Sequence, residues 1–200
     1  MRADQPDGPA SHQVRLRDGT EVVIRPYRPI ARKDIDKAYA DLSPESRYHR
    51  FLAVVPHLTD AMLHHLVDGI DGVHHIALVM VRLPEGGPES IIGIGRIIRY
   101  PHVPASADVA VTIRDQWQGR GAATALLDAL LQHRPDGVTR IVTLVAADNP
   151  AALAMLRRLG DLHATSAGPD TLDVTVDLGG APGPSSPHRG SPGSDAGECR

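Results

Sequence analysis

Asp108-Val109-Ala110-Val111-Thr112-Ile113, continued by Arg114-Asp115-Gln116-Trp117-Gln118-Gly119-Arg120-Gly121-Ala122-Ala123, carries the chain from a strand through a glycine turn into a helix. Val109, Val111 and Ile113 share one face of the predicted strand and Asp108, Ala110 and Thr112 the other, the period of two of a half-buried strand. Past the turn, Ala123, Leu126, Leu127 and Leu130 recur at helical spacing, and Pro135 with Gly137 supplies the stop. The turn therefore lies at a helix N-terminus, where the first N–H groups lack intrahelical partners and the dipole adds partial positive charge. A phosphate placed there gains hydrogen bonds and field together. Gly119, Gly121 and the small Ala123 permit the close approach this needs, and Arg120 or Arg114 can add charge. Two better-known phosphate motifs do not fit. The turn has no Gly-Lys-Ser/Thr ending, and Thr124 stands where a dinucleotide fingerprint needs Gly or Ala.

A second strand-helix unit follows. Ile141, Val142 and Leu144 lie in a predicted strand over 140–145, and Asp148-Asn149-Pro150 then opens a helix with Ala152, Met155, Leu156 and Leu159 on one stripe. Asn149 suits the N-cap and Pro150 the first helical position. On these residues the chain resembles the GNAT superfamily of N-acetyltransferases, whose acetyl-CoA signature Arg/Gln-x-x-Gly-x-Gly/Ala is matched by Gln118, Gly121 and Ala123. The superfamily's Asn-led helix is matched by Asn149, Ala152 and Gly160. A further stretch, Leu42-Ser43-Pro44-Glu45-Ser46-Arg47-Tyr48-His49-Arg50-Phe51, resembles the Leu-Ser-x-x-Ser-x-Tyr-x-Arg-Phe segment of bacterial Pat-type protein lysine acetyltransferases. Leu16-Arg17-Asp18-Gly19-Thr20 and Ile24-Arg25-Pro26 fit the same lineage.

The resemblance implies an α+β, three-layer GNAT fold, a mixed central sheet flanked by helices. It implies acetyl-CoA as donor substrate, held by Val111, Ile113, Gln118, Gly119, Arg120, Gly121, Ala122, Ala123 and Asn149, with no metal. The expected acceptor is an amine, foremost a lysine of a protein such as an acyl-CoA synthetase. Two other readings stay open: a small-molecule amine or amino-acid acetyltransferase, and an acyl-CoA-binding regulatory module without catalysis.

At neutral pH, removing the proton of a lysine amine costs about 4.6 kcal/mol, so a base or a desolvating pocket must offset that. Asp108 is the best-placed carboxylate, with the small Ala110 and Thr112 on its face leaving room for an acceptor. Pat-type enzymes usually carry a glutamate near this point, so the shorter aspartate is a departure that leaves open transfer through a water or a base elsewhere; a cap on the loop of Pro104-Ala105-Ser106 is the alternative reading of Asp108. His102, in the same loop, is a second candidate base, because histidine titrates in the range that suits proton transfer. Many GNAT enzymes place a thiolate-protonating tyrosine where this chain has Leu156, which reads here as core packing. An alkyl thiolate still leaves readily near neutrality, its thiol titrating at about 8.5. Tyr48 and Arg50 read as helix packing residues able to shape the acceptor site, and Trp117 as packing for the turn.

Composition agrees. The 200 residues suit one domain and the 42% hydrophobic content is enough for a core, which must be aliphatic because Trp117 and Phe51 are each the only one of their kind. A net charge of −3 argues against nonspecific binding of nucleic acid or an anionic membrane. The one cysteine, Cys199, allows no internal disulfide, and a cytoplasmic location is expected. The first residues lack the apolar stretch of a secretory signal and no run approaches the roughly 20 apolar residues of a membrane span. His64-His65 and His74-His75 lack a third ligand at metal spacing. Asp161, His163 and Ser166 lack a nucleophile elbow.

Along the chain, 1–12 reads as a flexible leader and 13–178 as the acetyltransferase domain. The Gly/Pro/Ser-rich 179–200 reads as a disordered tail. Asp18-Gly19 predicts a hairpin between 14–16 and 21–24. Helices are expected over 30–42, from Ser43-Pro44 toward Phe51, and from Thr59 to Gly69. Two interior strands are expected over 75–83 and 91–99, joined by a turn over 84–88, and a half-exposed strand nearer an edge is expected over 172–178.

Overall fold

The computed structural model describes residues 11–27, 32–67, 69–83, 87 and 89–179. In chain order the elements are β1 His12–Arg15, β2 Glu21–Pro26, α1 Arg32–Ala40, α2 Pro44–Phe51, α3 Asp60–Val67, β3 His75–Arg82, β4 Ser90–Arg99 and β5 Ser106–Ile113, then α4 Ala122–Gln132, β6 Arg140–Ala146, α5 Pro150–Arg157, β7 Gly160–Ser166 and β8 Thr171–Leu178. The strands form one mixed sheet in the order β1-β2-β3-β4-β5-β6-β8-β7, antiparallel except where β5 meets β6.

Helices cover both faces. On one, α4 packs on β3, β4 and β5 through Leu126, Leu127 and Leu130, all fully buried. Its approach is close enough that a Cβ on Gly95 of β4 would stand 2.7 Å from Leu130 Cδ1. Truncating one of these leucines to alanine costs about 2–5 kcal/mol. Leu156 of α5 joins the same core. The opposite face carries α1 to α3, where Tyr39 and Leu63, with Leu42 and Leu58 from the connecting segments, form a second cluster. Among the described residues no helix is long and apolar enough to cross a membrane.

The hairpin at Asp18-Gly19 is present, with β1 starting at His12 rather than Val14. Ser43 caps α2 as expected, accepting from Ser46 N at 3.1 Å, and Asn149 caps α5, accepting from Ala152 N at 3.0 Å. Two details differ from the sequence expectations. A 3₁₀ turn, Asp115–Trp117, intervenes between β5 and the glycine loop. The segment Gly160–Ser166, for which no strand is expected from the sequence, is an edge strand, β7. It alternates too weakly to announce itself, and almost all of it is exposed. β8, the half-exposed strand expected nearer an edge, lies one strand in from it, between β6 and β7, with Val174 and Val176 fully buried. The start of the expected 30–42 helix, most of the 84–88 turn, all but the last two residues of the leader and all but Gly179 of the tail lie outside the described residues.

Candidate active site

The sheet opens in the middle. β5 pairs with β4 over seven residues, from Ala107 opposite Arg99 to Ile113 opposite Gly93, whereas β6 pairs with β5 only at Ser106 and Ala107. Beyond that point Thr143 Oγ1, donating to Val109 O at 3.3 Å, bridges the strands. Ser106 O and Arg114 N bond to the β4 side, through Tyr100 N and Ile92 O respectively. Main-chain groups of an extended strand alternate sides, so those of Val109, Val111 and Ile113 turn toward the gap. Gln118 Nε2 occupies the Ile113 carbonyl at 3.1 Å. The amides of Val111 and Ile113 face the opening.

At the wide end of the gap stands the start of α4. Its N-cap is Gly121, at φ 86°, and no side chain caps the helix. Left-handed backbone suits glycine, and Gly119 before it is left-handed too. A Cβ on Gly121 would meet Arg17 Cγ at 3.2 Å, because the β1–β2 hairpin brings that arginine over the turn. The uncapped amides, the helix dipole and Arg17 give this end of the groove the polarity that favours an anion.

The sequence marks Arg17 only as part of the 16–20 stretch and gives it no role at the site, since only the tertiary fold brings the hairpin to the loop. The arginines expected to add charge are engaged elsewhere. Arg120 donates to Asp18 Oδ2 at 2.8 Å and lies 4.9 Å from the ring of the buried Trp117, so only its main chain belongs to the turn. The Thr20 amide, with Arg120 behind it, holds Asp18 below the usual carboxylate range. Arg114 pairs with Asp41 at 2.6 Å and lines a cavity on the α1–α3 face.

A groove of about 660 Å³ connects these parts. Its walls include Arg17, residues Asp108 to Ile113, Gln118, Gly119, Gly121 to Thr124, Asn149 and Leu156. Ser43, Ser46, His49 and Arg50 line it from α2. Asp115 anchors that helix, accepting from Ser43 N at 2.7 Å, from Ser43 Oγ at 3.0 Å and from Ser46 Oγ. Burial pushes the Asp115 carboxyl up, but the Ser46 and Ser43 hydrogen bonds outweigh it and hold the group below its ordinary value. His49 Nε2 reaches Asp148 Oδ1 at 3.1 Å, joining α2 to the turn before α5.

Asp108 lies within β5, on the groove, rather than capping the preceding loop. His102 is exposed in the β4–β5 turn and does not line the groove. Leu156, 3% exposed, serves both the core and the groove wall. Tyr100, unremarked in the sequence, also lines the groove and donates to Val142 O at 3.2 Å. Burial, reinforced by Asp108 and Asp173, pushes its phenol up, so it stays a donor at neutral pH. Among the described residues no cluster of three His, Cys, Asp or Glu side chains could hold a metal.

Residues 26–160 match the sequence profile of the Acetyltransferase (GNAT) domain. The chain is 32% identical over 151 residues to the acetyltransferase Pat of Mycolicibacterium smegmatis, covering 74% of this chain and 43% of the relative. It is 32% identical over 146 residues to an acetyltransferase of Pseudomonas aeruginosa, covering 72% of this chain and 77% of that one. Among solved structures, the GNAT domain of S. lividans PAT superposes with a TM-score of 0.71 at 26% identity, covering 84% of this chain and 97% of that domain. The chain thus spans less than half the length of the mycobacterial relative.

Proposed function

The chain belongs to the GNAT acetyltransferase family, and from that premise we propose that it transfers an acetyl group from acetyl-CoA directly to a lysine side chain of a protein. The observation that carries this reading is the coincidence, in one groove, of the β5–β6 gap, the uncapped α4 N-terminus and the carboxylate of Asp108. Each fits a different part of the donor or the reaction.

The diphosphate fits the amides after Gly119 and Gly121, with Arg17 as the charged partner. The pantetheine arm suits the gap between β5 and β6, where Val111 offers strand-like hydrogen bonds that β6 does not take. Asn149 reaches the same groove, although its side-chain oxygen already caps α5. A thioester carbonyl beside the Val111 amide meets a fixed donor aimed at its developing negative charge, the kind of contact worth roughly 2.7–4 kcal/mol in other acyl transfers.

Asp108 then accepts the proton of the acceptor amine, directly or through a water. The amine nitrogen forms its bond to the carbonyl carbon while the carbon–sulfur bond breaks, and the electron pair departs with the thiolate. No tyrosine stands at Leu156 to protonate that sulfur, so it leaves as the thiolate, as its ordinary acidity allows near neutrality. Similarity to the Pat proteins supports a protein acceptor.

The test is incubation with labelled acetyl-CoA and a panel of acceptors: acyl-CoA synthetases, unrelated proteins and small amines. Label on a protein lysine supports the reading. Transfer confined to small amines removes the protein acceptor and leaves the chemistry.

A further inference from the structure

The groove meets a second cavity at its thioester end. Arg50, Phe51, Ala110 and Thr112 border both spaces, and beyond them a cavity of about 110 Å³ extends over the α1–α3 face of β3, β4 and β5. Its lining is mostly apolar, Ile94 and Phe51 included, yet it contains Arg96. Nε and Nη1 of Arg96 are buried and meet no hydrogen-bond partner among the described residues. The Arg50 guanidinium lies 4.9 Å from the Phe51 ring. Burial, with Arg96 adding to it and Asp108 opposing it, pulls Arg50 down to about 10. Burial also lowers Arg96, again against Asp108.

Two guanidinium groups thus line a largely apolar recess whose lining, among the described residues, includes no carboxylate, Asp108 lying on the groove side, and buried donors left without acceptors are costly. We propose that Arg50 and Arg96 form a carboxylate-binding subsite at the junction of groove and cavity, filled by a carboxylate that the substrate bears a few atoms from the reacting carbonyl. A guanidinium fork matches a carboxylate in shape and charge, and the apolar walls suit a short methylene chain leading to it. The carboxylate has two possible carriers: the far end of a dicarboxylic acyl group on coenzyme A, or the α-carboxylate of an amino-acid acceptor. Tyr39 and Ile35 also line the cavity, and its volume of about 110 Å³ limits the chain to a few carbons. The inference rests on the reading of the groove as an acyl-CoA site.

Two ratios of kcat/KM test it. One compares succinyl-CoA with butyryl-CoA on a fixed lysine peptide; the other compares lysine with lysinamide using acetyl-CoA. One of them is expected to favour the carboxylate at least about tenfold, the discrimination typical of a charged hydrogen bond. The same ratio should collapse toward one in Arg96→Gln and recover in part in Arg96→Lys. Each ratio is taken within one preparation, so partial unfolding of a variant does not distort it. Wild-type ratios below about twofold in both arms overturn the subsite, as does a preference that survives both Arg96→Gln and Arg50→Gln, or turnover absent with every pair. Calorimetry with coenzyme A alone separates the two claims. Binding without discrimination sinks the subsite and spares the groove reading; no binding sinks that reading and the subsite with it.

Discussion

α2 and α4 both begin on the groove, and their first turns are completed in opposite ways. At α2, Ser43 accepts from Ser46 N, Pro44 removes one donor, and Asp115 accepts from Ser43 and Ser46. At α4, the cap is Gly121, and no side chain reaches back. A terminus closed by its own side chains contributes to stability. One left open to the groove is available to an anion. Gln118 ties the two together, its Nε2 donating to Ser46 Oγ, to Asp115 and to Ile113 O. The sequence signature therefore does two tasks: its glycines open one helix, and its glutamine holds that opening against the closed one.

The largest expected effect separates chemistry from grip. Asp108→Ala should lower kcat/KM by about 10²–10⁴ if the carboxylate is the base, while coenzyme A affinity, measured by calorimetry, stays near wild type. A variant as active as wild type would reject Asp108 and leave the α4 terminus in place. Next comes the open terminus. Gly121→Val puts a branched side chain at φ 86° and against Arg17. It should cost about 1–2 kcal/mol of stability. It should also weaken coenzyme A binding more than about tenfold, since charge-assisted hydrogen bonds would be lost. Arg17 is exposed, so Arg17→Gln should weaken binding only about fivefold, an effect that titration in rising salt should shrink.

The closed terminus should respond the other way round. Ser43→Ala removes the cap and should cost about 1 kcal/mol, a fall in Tm of about 2–4 °C for a chain of this size, with coenzyme A affinity unchanged. Asp115 adds a pH signature. Its folded-state value is lowered, so its contribution to stability is complete above about pH 4 and is lost as the pH falls through the folded value. The Tm difference between wild type and Asp115→Asn should therefore be flat above about pH 5 and shrink below about pH 4. A difference that grew in acid would contradict the assigned network.

Much of this contrast can be read in the chain itself. Period-two and helical spacing on either side of Gly119 and Gly121 mark a strand, an open turn and a helix, and Ser43-Pro44 and Asn149-Pro150 announce closed helix starts. These signals are local, which is why they are legible. What escaped is what tertiary contact decides. Arg17 reaches the loop only because the hairpin folds over it, and Arg120 turns away because Asp18 and Trp117 hold it. The face shared by Asp108, Ala110 and Thr112 follows from alternation, whereas its pairing with Arg96 depends on register with β4, where Ala110 stands opposite Arg96. β7 escaped because an exposed edge strand needs few apolar residues.

Amide hydrogen exchange with and without coenzyme A tests the contrast most directly, since it reports on both helix starts in one experiment. The account predicts that coenzyme A slows exchange at residues 119–125 and at Val111, while the first turn of α2, already closed by Ser43 and Asp115, is unchanged. Exchange at 119–125 left unaltered by a saturating concentration of coenzyme A would contradict it.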